Sequence, residues 1–169
     1  MTKKMLIYRV VLCVLILSLL IFIFVHSSKH GDESYNQSEE VVGGVLDVIA
    51  PDIGSDPSAE GYQTRLYINL AFRKMAHLCL FAGLSFLMSL LLTSYEMKKW
   101  KVALFSIGFT VLYAISDEVH QMFVPNRAGT LFDVGVDSLG AVLGWACAIF
   151  AIWLFWNVQR RKQKVKKSG

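Results

Sequence analysis

Charge is scarce in this chain of 169 residues. Asp, Glu, Lys and Arg make up 18 % of it, against roughly 25 % in ordinary soluble domains. The shortage is uneven. Long blocks carry no charge, 54 % of the residues are hydrophobic, and the mean hydropathy is +0.48. That pattern excludes a plain soluble domain and reads as membrane spans within a single domain. A net charge of +4 invites a nucleic-acid partner, but the basic residues flank the apolar blocks and form no stripe, so no nucleic acid is expected. Cysteine is scarce too. Cys13, Cys79 and Cys147 are odd in number and lack metal-ligand spacing, and they read as small buried apolar residues. No clustered ligand signature draws His77, His120, Asp117 and Asp133 into a metal site, and no cofactor is implied. No Ser or Cys sits in a nucleophile motif, Ser116 beside Asp117 being a weak candidate. No internal repeat is evident.

What is present is four apolar blocks, at about residues 6–25, 75–94, 100–119 and 131–156. Each is long enough to cross a hydrocarbon core. Lys3 and Lys4 before the first block resemble the start of a signal peptide. The block is long for one, however, and no small-x-small site follows Phe24, so it reads as an uncleaved anchor. Arg9 lies one turn inside it and is expected to snorkel to headgroups. Lys3 and Lys4, then Lys98, Lys99 and Lys101, then the basic tail from Arg160 to Lys167 (residues 157–169) must share one side of the membrane if there are four spans. The positive-inside rule makes that side cytoplasmic, with both termini there. Trp100, Trp153 and Trp156 mark the same interface. The acids from Asp32 to Glu60 fall in a long outer loop, residues 26–72. Within it, Ser38 to Ile49 predicts a short amphipathic helix that Pro51 would end. A second helical pattern starts near Glu60 or Thr64, so the second span is expected to project outward by two or three turns.

The expected fold is therefore an all-α integral membrane protein with four transmembrane helices. It carries a polar cluster at the outer ends of the second, third and fourth. Arg73, Lys74 and His77 open the second span. Asp117, Glu118, His120 and Gln121 close the third. Arg127 follows in the loop, and Asp133 and Asp137 begin the fourth. Arg73 and His77 share a helix face, as do Asp117, His120 and Gln121, and Asp133 with Asp137. The last face continues into Gly140 and Gly144, a small-xxx-small seam extended by Ala148 and Ala151 that lets another helix approach. Ionisable groups are expensive in a membrane and mark sites. Charges at helix ends can also sit harmlessly in headgroups, and Asp133 suits a helix N-terminus in any case.

Arg73-Lys74-x-x-His77, then Ser116-Asp117-Glu118-x-His120-Gln121-x-Phe123-x-Pro125-x-Arg127, then Asp133 and the Gly140/Gly144 seam, resemble the VanZ-like family of bacterial membrane proteins. The resemblance covers roughly residues 70–150. Two positions depart from the family pattern: Asn126 stands where glycine is usual, and Asp137 where asparagine is usual. The family is named for a protein associated with resistance to glycopeptide antibiotics, notably teicoplanin. The resemblance implies an envelope role in a Gram-positive bacterium, in its plasma membrane.

The leading reading is a pocket that faces outward, in which Arg73, Lys74 and Arg127 contact the anionic group of a membrane lipid or lipid-linked wall precursor. Asp117, Glu118, His120, Gln121 and Asp133 would orient them. Two other readings stand beside it. One is a membrane enzyme acting on a lipid-linked substrate, with His120 or Asp117 as acid or base. The other is a small proton-coupled transporter, against which stands the lack of ionisable residues in the inner halves of the last three spans.

Overall fold

In the computed structural model, which describes residues 2–50 and 58–168, many large apolar side chains face outward and several small polar ones are buried. Leu17 and Leu112 are 58 % and 68 % exposed, whereas Ser85, Ser89, Ser106 and Thr110 are fully enclosed. A protein in water does the reverse. In a bilayer, lipid tails cover the leucines, and small hydroxyl residues let helices pack closely. Ser89, Ser106 and Thr110 each donate to a carbonyl one turn back in their own helix, so their burial leaves no unmet hydroxyl.

Five helices and no strand occur among the described residues: α1 (Lys3–Ser27), α2 (Gly31–Ile49), α3 (Ala59–Thr93), α4 (Lys99–Gln121) and α5 (Leu131–Ser168). All but α2 are long and apolar enough to cross a membrane. The four expected spans are thus present, with longer ends. Ser58 caps α3 by accepting from the Gly61 amide at 3.1 Å, close to the expected start. Sixteen residues separate Ala59 from Met75, which at 3.6 residues per turn is about four turns of projection, more than anticipated. Helix α2 begins before Ser38, with Asp32 and Glu33 in its first turn, where the helix dipole favours acids. It ends at Ile49. Pro51, Asp52 and Asp56 lie outside the described residues, as do the side chains of Lys164, Lys166 and Lys167. The basic tail continues α5 as helix.

The most extensive contact is between α3 and α5. A Cβ on Gly140 would overlap the carbonyl oxygen of Leu78, and one on Gly144 that of Ala82. Ala141 and Ala148 are fully enclosed beside them. The predicted seam is therefore the contact with α3, except that Ala151 is exposed. Helix α1 packs on the other side of α3. There Ile16 and Ile23 meet Phe81, Leu84 and Ala114 in the apolar core, and the Tyr113 hydroxyl donates to the Leu20 carbonyl at 2.7 Å.

Two expectations are corrected. All three cysteines are exposed, because each lies on the lipid-facing side of its helix rather than in the core. Arg9 does more than snorkel. Its guanidinium donates to the hydroxyl and carbonyl of Ser94 and lies 3.7 Å over the Tyr95 ring. Ser94 caps the C-terminus of α3, where a cation is favoured, so Arg9 fastens α1 to α3 at the basic end.

Helix α2 lies along α3. Its buried face, Ser38, Val42 and Leu46, is held by a satisfied polar network. Arg65 bonds Glu39 at 2.7 Å, Asn69 donates to Glu39 at 2.8 Å, and Ser38 donates to Asn69 at 2.6 Å.

Gly144→Val should lower thermal stability in detergent by about 1–3 kcal/mol, because a side chain there must push the two backbones apart. Ala151→Val on the same helix should leave the melting temperature within a degree or two. Equal melting curves for the two variants would contradict the seam.

Candidate functional site

At the end of the bundle away from Arg9, α3, α4 and α5 enclose a cavity of about 230 Å³. That is below the roughly 300–1,000 Å³ of sites for drug-sized ligands. Helix α3 contributes Arg73, Lys74 and His77, α4 contributes Glu118 and Gln121, and α5 contributes Asp133 and Asp137. Arg127 and Asn126 come from the loop between α4 and α5.

Several of these groups are already satisfied. Thr130 caps the start of α5. The Asp133 amide donates to Thr130 Oγ1 at 3.1 Å, and that hydroxyl donates to Asp133 Oδ2 at 2.8 Å. The other Asp133 oxygen pairs with Lys74, whose ammonium also sits 4.7 Å over the Phe132 ring. Glu118 accepts from the Thr130 amide at 2.9 Å. This return of the loop needs Gly129, since a Cβ there would overlap the Glu118 carbonyl.

Others are not satisfied. Arg73 makes no hydrogen bond or ion pair among the described residues. Arg127 donates through Nη2 to the His26 carbonyl at 3.2 Å, while its Nε is buried without a partner. Burial pulls the Arg127 guanidinium below its ordinary pKa, and the Arg73 charge pushes it the same way, against Asp117 and Glu118. A guanidinium keeps its proton regardless, so this strain is an attraction for an anion. Asp137 is only 1 % exposed, and neither of its carboxylate oxygens has a hydrogen-bond partner. His77 Nδ1 is 3.9 Å from Asp137 Oδ2, beyond hydrogen-bond reach.

The predicted cluster splits in two. Asp117 and His120 do not line the cavity. Asp117 is buried against α1, accepting from Ser27 at 2.8 Å and from Gln121 at 2.9 Å. His120 stacks on Phe24, with centroids 4.8 Å apart, and shares a 3.0 Å hydrogen bond with Ser28. They clamp α4 to the end of α1. Ser27 and Ser28 were not anticipated. Two hydroxyls end the first span, but no spacing ties them to α4. His26 and His30 stand four residues apart yet straddle the break after α1. Among the described residues no three His, Cys, Asp or Glu gather to hold a metal.

The chain matches the VanZ/LLP1 family over residues 12–155. It belongs to that family. No curated protein and no solved structure matches it. The VanZ-like region is wider than residues 70–150 and takes in most of α1 and all of α2. Both touch the site: α1 through the His26 carbonyl, which accepts from Arg127, and α2 through Asp32, which accepts from the Asn126 side chain at 2.7 Å. Asn126 has φ 58°, a left-handed conformation that glycine adopts most readily and that asparagine tolerates. The preceding carbonyl, of Pro125, accepts from the Gly31 amide at 3.2 Å. The motif loop is thereby held to the start of α2.

Ser27→Ala should cost about 1–3 kcal/mol by stripping a donor from buried Asp117. Ser27→Ala and Asp117→Asn together should cost less than their sum in a double-mutant cycle, read as melting temperature. Full additivity would show that the clamp is not coupled.

Proposed function

We propose that this VanZ-like envelope protein binds the anionic headgroup of a membrane lipid or lipid-linked wall precursor. Its cavity opens on the outer face of a bacterial plasma membrane. The observation that carries the reading is the pair Arg73 and Arg127, which border one cavity and, among the described residues, have no carboxylate paired with either guanidinium. A phosphate accepts two parallel hydrogen bonds from such a group. Lys74 is neutralised by Asp133 and adds a lesser, conditional charge. Phe123, Leu131 and Phe132 are 82 %, 91 % and 68 % exposed in the loop and first turn around the cavity, as befits a mouth at headgroup depth. Such a site, occupied by a wall precursor or lipid, would support envelope homeostasis and lowered susceptibility to glycopeptides such as teicoplanin.

His77 beside Asp137 favours a second reading, a membrane enzyme acting on a lipid-linked substrate, with this pair in place of Asp117 or His120 as acid and base. A deletion strain separates the two. An enzyme leaves its substrate accumulating in the lipid extract, whereas a binding protein leaves lipid chemistry unchanged.

Arg73→Gln and Arg127→Gln should each abolish any protection against glycopeptides or envelope stress at undiminished protein abundance, read by susceptibility testing with immunoblots. Full protection from a stably inserted double variant would end the anion-cavity reading. For orientation, green fluorescent protein fused after residue 169 should fluoresce, and alkaline phosphatase inserted between α2 and α3 should be active. The reverse pattern would place the cavity inside.

A further inference from the structure

The groups in the cavity that satisfy one another leave a defined remainder. Lys74 is spent on Asp133, one oxygen of Glu118 on the Thr130 amide, and the Gln121 amide on Asp117. Arg73 and Arg127 remain as donors, and Asp137 remains as an acceptor whose two oxygens are enclosed and unpartnered. Nor does His77 meet Asp137: its Nδ1 stands 3.9 Å from the carboxyl, beyond hydrogen-bond reach. A bare anion would meet the arginines and offer no donor to the Asp137 oxygens. A buried acceptor without a donor is unfavourable.

We propose that the cavity selects phosphate esters that carry an N–H or O–H donor close to the phosphate, with Asp137 as the residue that reads the donor. The proposal rests on the reading that Arg73 and Arg127 hold the phosphate, and it adds the second half of the ligand. A volume of about 230 Å³ admits a phosphate with a short ammonium- or hydroxyl-bearing arm, and little more. That chemistry is found both in lipid headgroups and in free phosphoesters. A second cavity of about 320 Å³ between α1, α2 and α3 shares Arg73, His77 and Arg127 with the first, and Ile23, Val41, Phe72 and Leu80 line it. It offers an apolar neighbour for the chain of a lipid.

The test uses the purified full-length protein in detergent and four short-chain lipids in two matched pairs. Dihexanoyl phosphatidylethanolamine is set against dihexanoyl phosphatidylcholine, which has the same phosphate and charge but no N–H. Dihexanoyl phosphatidylglycerol is set against dihexanoyl phosphatidylmethanol, which lacks the hydroxyls. Dissociation constants come from thermal-shift titration. In each pair the donor-bearing lipid should bind about tenfold tighter to the wild type, the worth of one hydrogen bond to a charged group. Asp137→Leu, which fills the space without an acceptor, should bind both members of each pair alike. Asp137→Asn keeps the shape and should lose most of the preference for ammonium.

Equal binding within both pairs by the wild type, or an ammonium preference unchanged in Asp137→Asn, overturns the proposal and leaves the arginine reading standing. Undiminished binding of all four lipids by Arg73→Gln/Arg127→Gln overturns the arginine reading itself. Free phosphoethanolamine, added as a fifth ligand, separates the sources. Affinity equal to that of the lipid assigns the site to soluble phosphoesters, and binding of the lipid alone assigns it to headgroups. Either result supports donor reading when the Asp137 variants behave as stated.

Discussion

Everything at the polar end depends on how closely α3 and α5 approach. Gly140 and Gly144 set the backbone of α5 against the carbonyls of Leu78 and Ala82, and just N-terminal to these contacts α3 bears His77 and α5 bears Asp137, both lining the cavity. A side chain at either glycine would force the helices apart, and the acid and base would no longer border one space. Without water, helix association in a bilayer relies on such packing rather than on burial of apolar surface. The seam is thus both the main tertiary contact and the frame of the cavity.

The loop between α4 and α5 closes that frame. Gly129 allows it to lie on the Glu118 carbonyl, Asn126 turns it through a left-handed residue, and Thr130 with Asp133 starts α5. Arg127 is thereby carried over the end of α1, to the His26 carbonyl. Helix α1 is consequently more than an anchor. It is fastened at one end by Arg9 to the C-terminus of α3, and at the other by Ser27 and Ser28 to Asp117 and His120.

Where expectation and structure differ, the cause is rotation or partnership. Cys13, Cys79 and Cys147 sit in apolar blocks, yet in a lipid-facing bundle an apolar block is exposed on most of its surface. Ala151 continues the seam by spacing but is exposed, so the close contact with α3 does not reach it. Asp117 and Glu118 are adjacent in the chain and face different partners, one the serines of α1 and the other the Thr130 amide.

Hydropathy and charge alone determined the spans, and the spacing of Arg73, His77, Asp133 and Asp137 brought the titratable groups to one level of the bundle. These are one-dimensional properties: a run of apolar residues has a length and a helical residue has a depth. Tertiary structure decided which groups at that depth neutralise each other and which stay open. Lys74 meets Asp133 and Asp117 meets Ser27, while Arg73, Arg127 and Asp137 are left facing a shared cavity. Partner choice depends on helix rotation and on the path of a nine-residue loop from Met122 to Thr130, and neither follows from the period of a helix.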